Sequence, residues 1–183
     1  MQALAAVDYV VTACPTCAVG LKQDSVDLLR GTEFETEAAL LASRVRDFTQ
    51  FIIDDLKGLD LLAAASQKTA STRVTYHDPC HLKRGMGISD QPRTALRVAG
   101  LEVVEMQESD VCCGFAGSYS FSFPDIAESI LRRKVNNIRS VDAGVVATDC
   151  PGCILQIRGG VEKHKCPVAV KHTAQLLAER LPK

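Results

Sequence analysis

Eight cysteines in 183 residues, at positions 14, 17, 80, 112, 113, 150, 153 and 166, are the residues of this chain best suited to chemistry. Five of them form a spaced pattern: Cys80, 31 residues, Cys112-Cys113-Gly114, 35 residues, then Cys150-Pro151-Gly152-Cys153. One buried cysteine can fill a gap in a core. Two adjacent ones are hard to explain that way, because neighbouring side chains point in different directions. Five thiols exceed the four that close a tetrahedral zinc site. An iron–sulfur cluster offers several irons to thiolates, so an adjacent pair could reach two irons, or one thiolate could bridge two. Gly114 and Gly117 would let the backbone turn tightly round inorganic sulfide. Amides of that loop, and of the helix start after Cys153, would stabilise a negatively charged cluster. Zinc is the alternative metal, and structural or disulfide-forming thiols are the metal-free reading.

The elements that must position these thiols alternate along the chain. Short β-branched runs predict strands at 8–13, 73–78, 101–106, 144–149 and 168–172. Helical spacing predicts helices over 18–30, 36–56 with room for a break near 46–48, 124–139, 152–162 and 173–181. A further helix has Asp90 as N-cap and Pro92 early, and Gly100 ends it. The helix from Pro124 should turn Ile126, Ile130, Leu131, Val135 and Ile138 inward. This order implies an α/β fold with a mostly parallel sheet and flanking helices. Cys14, Cys80 and Cys150 each follow a strand, and Cys112 and Cys113 lie in the loop after another. The carboxyl edge of such a sheet is where ligands bind, so all of these thiols can gather on one rim.

An internal repeat is visible. "VDYVVTACPTCAVGL" (7–21) matches "DAGVVATDCPGCILQI" (142–157), and "RDFTQFIIDDL" (46–56) matches "KHTAQLLAERL" (171–181). The first copy lacks the long lead-in that carries Cys80 and the Cys112–Cys113 pair. The expected organisation is therefore residues 1–56 as the tail of a first unit, 57–71 as a linker and 72–183 as a complete second unit. Cys14 and Cys17 are then ligands of an incomplete site, a zinc half-site or free thiols. A thioredoxin-like role for either Cys-Pro-x-Cys is a lesser alternative. Cys166 reads as an ordinary cysteine near a strand start. His77 and His81 flank Cys80; His81 could donate to a cluster sulfur or pass protons, and a structural role is as well supported. Asp78 and Asp149 are expected to bind loop amides. Lys83 and Arg84 are expected on a solvated face, with Tyr119 and Phe121 in the core.

Composition narrows the class further. Hydrophobic residues make up 46% and charged residues 23%, as in ordinary globular proteins, and the net charge is −1. With no basic block, nucleic acid is excluded as a partner. Stretches such as "LDLLAAA" are too short to span a bilayer. "MQALAAVDYVV" lacks the basic start of a signal peptide, which favours a cytoplasmic setting over a disulfide framework.

"YHDPCHLKRGMGISDQPRTAL", "CCGFAGSYSF" and "ATDCPGCILQI" resemble the cysteine-rich CCG domain. That domain occurs in heterodisulfide reductase, in the iron–sulfur subunit of glycolate oxidase and in lactate-utilisation iron–sulfur proteins. The resemblance covers residues 72–181 as one unit and 7–56 as the tail of another. It implies a [4Fe–4S] centre, noncubane in the heterodisulfide reductase branch, held by Cys80, Cys112, Cys113, Cys150 and Cys153. It also implies a subunit of an iron–sulfur oxidoreductase. Its partners would be a flavoprotein that oxidises a 2-hydroxy acid and ferredoxin-like iron–sulfur subunits or domains, which could hold it at the membrane periphery. The "HDPCH" and "QPR" wording is nearer the glycolate- and lactate-oxidising branch. Since the preceding CCG is missing here, the resemblance implies the C-terminal part of a longer polypeptide or complex.

Overall fold

The computed structural model of the chain describes residues 4, 7–56, 60, 62–63 and 72–181. Most of the expected 57–71 linker lies outside the described residues. The first parallel pair joins β1 (Val10–Thr12) to β2 (Val45–Asp47), with Val10 opposite Val45 and Thr12 opposite Asp47. Between them run α1 (Pro15–Val19), a π-helical stretch (Gly20–Asp24), α2 (Ser25–Leu29) and α3 (Glu35–Arg44). The helix expected over 36–56 is thus interrupted by a strand. Val45, β-branched and fully buried, joins β1, and Asp47 caps the helical turn after it, accepting from the Thr49 amide at 2.8 Å. That turn is α4 (Phe48–Gln50), continued by a π-helical stretch (Phe51–Asp55).

The main sheet is built from β3 (Arg73–Tyr76), β4 (Glu102–Val103), β5 (Val145–Thr148) and β6 (Ala169–His172). All pairings are parallel, in the spatial order β4-β3-β5-β6. The expected strand 101–106 is shorter than its apolar pattern. Beyond Val103 only the Val104 amide still reaches β3, at 2.8 Å from the Val74 carbonyl, before the chain turns toward Cys112. The crossovers carry α5 (Asp90–Val98), α6 (Tyr119–Ser122), α7 (Pro124–Arg139) and α8 (Pro151–Lys163), and α9 (Thr173–Ala178) follows β6. Ser89, not Asp90, occupies the N-cap position of α5, and Asp90 sits in its first turn.

Three layers result. Leu131, Val135 and Ile138 of α7, with Cys153, Ile157 and Val161 of α8, pack on Val146 and Val170 of the sheet. On the opposite face Leu96 of α5 and Leu176 of α9 cover Val74, Tyr76 and Ala147. Ile126 does not join the inner stripe of α7; it is 51% exposed, while Ala127 and Lys134 face inward. Phe48, Ile52 and Ile53 of the first pair's helix pack against Ala95, Ala99 and Leu177, binding the small sheet to the large one.

The connection from β3 leads outward to β4, whereas the one from β5 leads the other way to β6. The strand order therefore reverses between β3 and β5. In open α/β sheets the crevice beyond the strand ends at such a point is the usual ligand site. Cys80 follows β3 and Cys150 follows β5.

Candidate metal centre

Cys80, Cys112, Cys113, Cys150 and Cys153 all line one cavity at that crevice, and Cys14 lines it too. Cys113, Cys150 and Cys153 are buried, Cys14, Cys80 and Cys112 half-buried, and Cys17 exposed beside Cys14. Cys166 is elsewhere, in the core under α7 and α8. All eight are free thiols. The cavity measures about 530 Å³. A single water or ion needs only about 30 Å³, so the space suits a group of many atoms better than one ion.

Each wall has a local cause. Pro151 presets the first turn of α8 and Cys150 precedes it in extended conformation, so the amides of Gly152 and Cys153 reach the Cys150 sulfur. Phe115 lies over the turn: a β-carbon on Gly152 would stand 2.8 Å from its Cδ1, which only glycine avoids. On the other side Thr16 of α1 meets His81, its hydroxyl 3.1 Å from Nδ1. Tyr119 is half-buried and stacks near Phe123, but Phe121, expected in the core, is 81% exposed.

The thiols form an alternating network. Hydrogen bonds from Cys113 and then Cys80 hold the Cys112 thiol far below its ordinary range, with the Gly114 amide adding another at 3.4 Å. Bonding to that thiolate pushes Cys113 up to about 12 and Cys80 up as well. Cys150 is drawn down to about 6, first by Cys153 and then by the amides of Cys153 and Gly152. Cys153 is raised between Cys113, whose sulfur is 3.4 Å away, and Cys150. Lowered thiols, Cys112 and Cys150, thus alternate with raised ones, Cys80, Cys113 and Cys153. Binding a metal would release the protons of the raised thiols.

The acids do not bind loop amides as expected. Asp78 receives Arg93 through two hydrogen bonds of 2.7 Å each, and Tyr76 donates to Asp149 at 2.5 Å. Burial pushes Asp149 up to about 6, aided by the nearby Asp47. Lys83 pairs with Asp110 at 3.0 Å.

Two buried groups went unseen in the sequence. Lys134 is 1% exposed and donates to the carbonyls of Glu108, and of Ser109 at 3.2 Å, beneath the Cys112–Cys113 loop. Burial lowers its ammonium to about 8. Its place on the Ala127–Leu131–Lys134–Val135–Ile138 stripe was the signal that could have revealed it. His172 donates through Nε2 to the carbonyls of Asp149 and Ala13, the residues before the two Cys-Pro-x-Cys turns. His77 is fully buried, and burial followed by the Lys134 charge lowers its imidazole to about 4, so the ring is neutral.

Among the described residues no helix is long and apolar enough to cross a membrane. The model of the CCG cysteine-rich domain matches residues 74–158. Lactate utilization protein A of Geobacillus kaustophilus is 36% identical over 182 residues, covering 98% of this chain and 74% of that protein. The protein of the same name from Shouchella clausii is 34% identical over 179 residues, 97% of this chain and 72% of its own length. A fumarate reductase (CoM/CoB) subunit of Methanothermobacter marburgensis is 36% identical over 163 residues, 88% of this chain but 30% of the relative. With the thiols of three strand ends meeting on one rim and relatives of this extent, the chain belongs to the CCG cysteine-rich domain family.

Proposed function

We propose that this protein is an iron–sulfur redox subunit. In this reading Cys80, Cys112, Cys113, Cys150 and Cys153 hold a [4Fe–4S] centre. The subunit takes electrons from a flavoprotein that oxidises a 2-hydroxy acid, with lactate favoured over glycolate by the lactate utilization relatives. The observation that carries the reading is the gathering of these five sulfurs in one cavity too large for a single ion.

When bound, the cluster supplies one-electron steps at sulfur-ligated iron. The chain's own residues hold and shield it. Cys112 and Cys150 present thiolates, the α8 amides and Lys134 face the negative charge, and Phe115 keeps water from the Cys150 turn. Apart from the Thr16–His81 pair on the rim, no other acid, base or nucleophile set of the described residues lines the cavity, and the cofactor carries the chemistry. A second reading, a cluster acting on a disulfide, is favoured by the likeness to the fumarate reductase (CoM/CoB) subunit.

Anaerobic reconstitution with iron and sulfide tests the proposal. It requires about four irons per chain and broad absorption near ~400 nm. Colourless protein holding about one zinc would replace it with a zinc scaffold. Rapid reoxidation of the reduced centre by a disulfide would favour the second reading.

A further inference from the structure

We infer that His77 is a metal ligand, its Nε2 joining Cys113 and Cys153 to give the centre one nitrogen donor beside its thiolates. The inference deepens the iron–sulfur reading and rests on it.

The donor atoms of His77, Cys113 and Cys153 lie within 4.8 Å of one another, and all three residues are buried. Metal–nitrogen bonds of about 2.1 Å and metal–sulfur bonds of about 2.3 Å place donors on one tetrahedral ion about 3.6–3.8 Å apart. The Cys113 and Cys153 sulfurs already stand 3.4 Å apart, so the trio closes on an ion with side-chain shifts of no more than about 1 Å.

Hydrogen bonding fixes which nitrogen is available. His77 Nδ1 is 3.0 Å from the Ser109 carbonyl oxygen, which can only accept. In the neutral ring Nδ1 then carries the proton and Nε2 bears a bare lone pair. That Nε2 is buried and has no hydrogen-bond partner among the described residues. A buried acceptor left without a donor costs stability unless something else takes its lone pair. A backbone carbonyl receiving the far N–H is also the arrangement that orients metal-bound histidines. Lys134 donates to the same Ser109 carbonyl and steadies it. His81, by contrast, is exposed and turned to the Thr16 hydroxyl.

A neutral imidazole adds a donor without the negative charge that a further thiolate would bring, and histidine ligation raises the potential of iron–sulfur centres. The full chain, reconstituted with iron and sulfide and reduced, should show a directly bonded nitrogen in pulsed EPR. That coupling should change on 15N-histidine labelling, persist in His81→Ala and vanish in His77→Ala. A loaded centre with no histidine coupling, or one whose coupling survives His77→Ala, overturns the inference and leaves the iron–sulfur reading standing. The labelled-against-unlabelled comparison needs no variant, so a misfolded His77→Ala does not remove the test.

If no cluster assembles, the iron–sulfur reading fails, and cobalt(II) added to the reduced apoprotein still decides His77. Bound cobalt should shift one exchangeable imidazole N–H proton signal, absent in His77→Ala. Cobalt bound without that signal, or no binding of cobalt, overturns the inference.

Discussion

His172 places its Nε2 2.9 Å from the carbonyl oxygen of Asp149, and the same nitrogen lies 3.0 Å from the carbonyl of Ala13. The Ala174 amide donates to Nδ1 at 3.0 Å, so Nε2 carries the proton and serves both carbonyls. One imidazole thus ties the turn that begins at Cys14 to the turn that begins at Cys150. Replacing His172 with alanine orphans a buried carbonyl and should cost about 1–3 kcal/mol in urea unfolding. Cys14 should also become faster to alkylate relative to Cys150. Unchanged relative rates would mean that the two turns are held together by other contacts.

Arg93 grips Asp78 at the start of the Cys80 loop, also contacts Glu105 at 2.7 Å, and lies over the Tyr76 ring. Breaking a buried pair leaves an uncompensated charge, so Arg93→Met should destabilise by about 3–5 kcal/mol. Burial pushes the Asp78 carboxyl up, but the hydrogen bonds and charge of Arg93 outweigh it and the group ends below its usual range. Its contribution is therefore present above the ordinary carboxylate range and is lost as pH falls through the lowered value. Urea unfolding at pH 7 and pH 3 should show a larger acid loss for the wild type than for Arg93→Met.

His77 and Asp149 pull stability in opposite directions with pH. His77 titrates at about 4 in the fold against an ordinary 6.5, so the unfolded chain binds the extra proton between those values and acid destabilises. Asp149 titrates at about 6 against 3.8, so the folded chain binds the extra proton and acid stabilises. Each shift is worth about 3 kcal/mol across its window, so the two largely cancel in the apoprotein. His77→Gln leaves Asp149 alone. Its stability should rise by about 2–3 kcal/mol relative to the wild-type trend between pH 7 and pH 4.5. A variant that follows the wild-type trend would contradict this.

The parts of the molecule legible in the sequence are those with a local signature. Strand runs beside Cys14, Cys80 and Cys150 placed these thiols at strand ends, and Pro124 marked the start of α7 to the residue. What stayed hidden depends on tertiary partners. Val45–Asp47 sits inside a helical pattern and becomes a strand because β1 lies alongside. Lys134 reads as one more charge in "RRK" until the Glu108 and Ser109 carbonyls are seen above it. Asp78 and Asp149 precede cysteines as loop acids would, but Arg93 and Tyr76 arrive from 15 and 73 residues away.

Gly114 and Gly117 separate two causes of glycine at the CCG loop. Gly114 has φ +90°, and a β-carbon there would stand 2.6 Å from the Ala127 carbonyl oxygen. Gly117 has φ +57° with open space around the same position. Gly117→Ala should cost only the left-handed penalty, roughly 1–2 kcal/mol, and still load iron. Gly114→Ala must push backbone against backbone, moving Cys112 and Cys113, and should abolish iron uptake. Equal iron content in the two variants would refute the distinction.

Lys134 supplies charge as well as support. Its ammonium is buried close enough to Cys113 to favour that residue's thiolate form, and it holds the carbonyls that shape the Cys112–Cys113 loop. Lys134→Met keeps the stem's apolar packing but strips the carbonyls of their donor, a loss of about 1–3 kcal/mol in unfolding. It also removes a cation from the low-dielectric side of the centre, where charge acts more strongly than at the surface. A reduced centre carries one more negative charge than the oxidised one, so losing the cation disfavours reduction. Redox titration of the reconstituted chain should therefore give a lower potential for Lys134→Met than for the wild type. Lys134→Arg, which keeps the charge, should lie nearer the wild-type value if it folds. Equal potentials in Lys134→Met and wild type would reduce Lys134 to a structural prop.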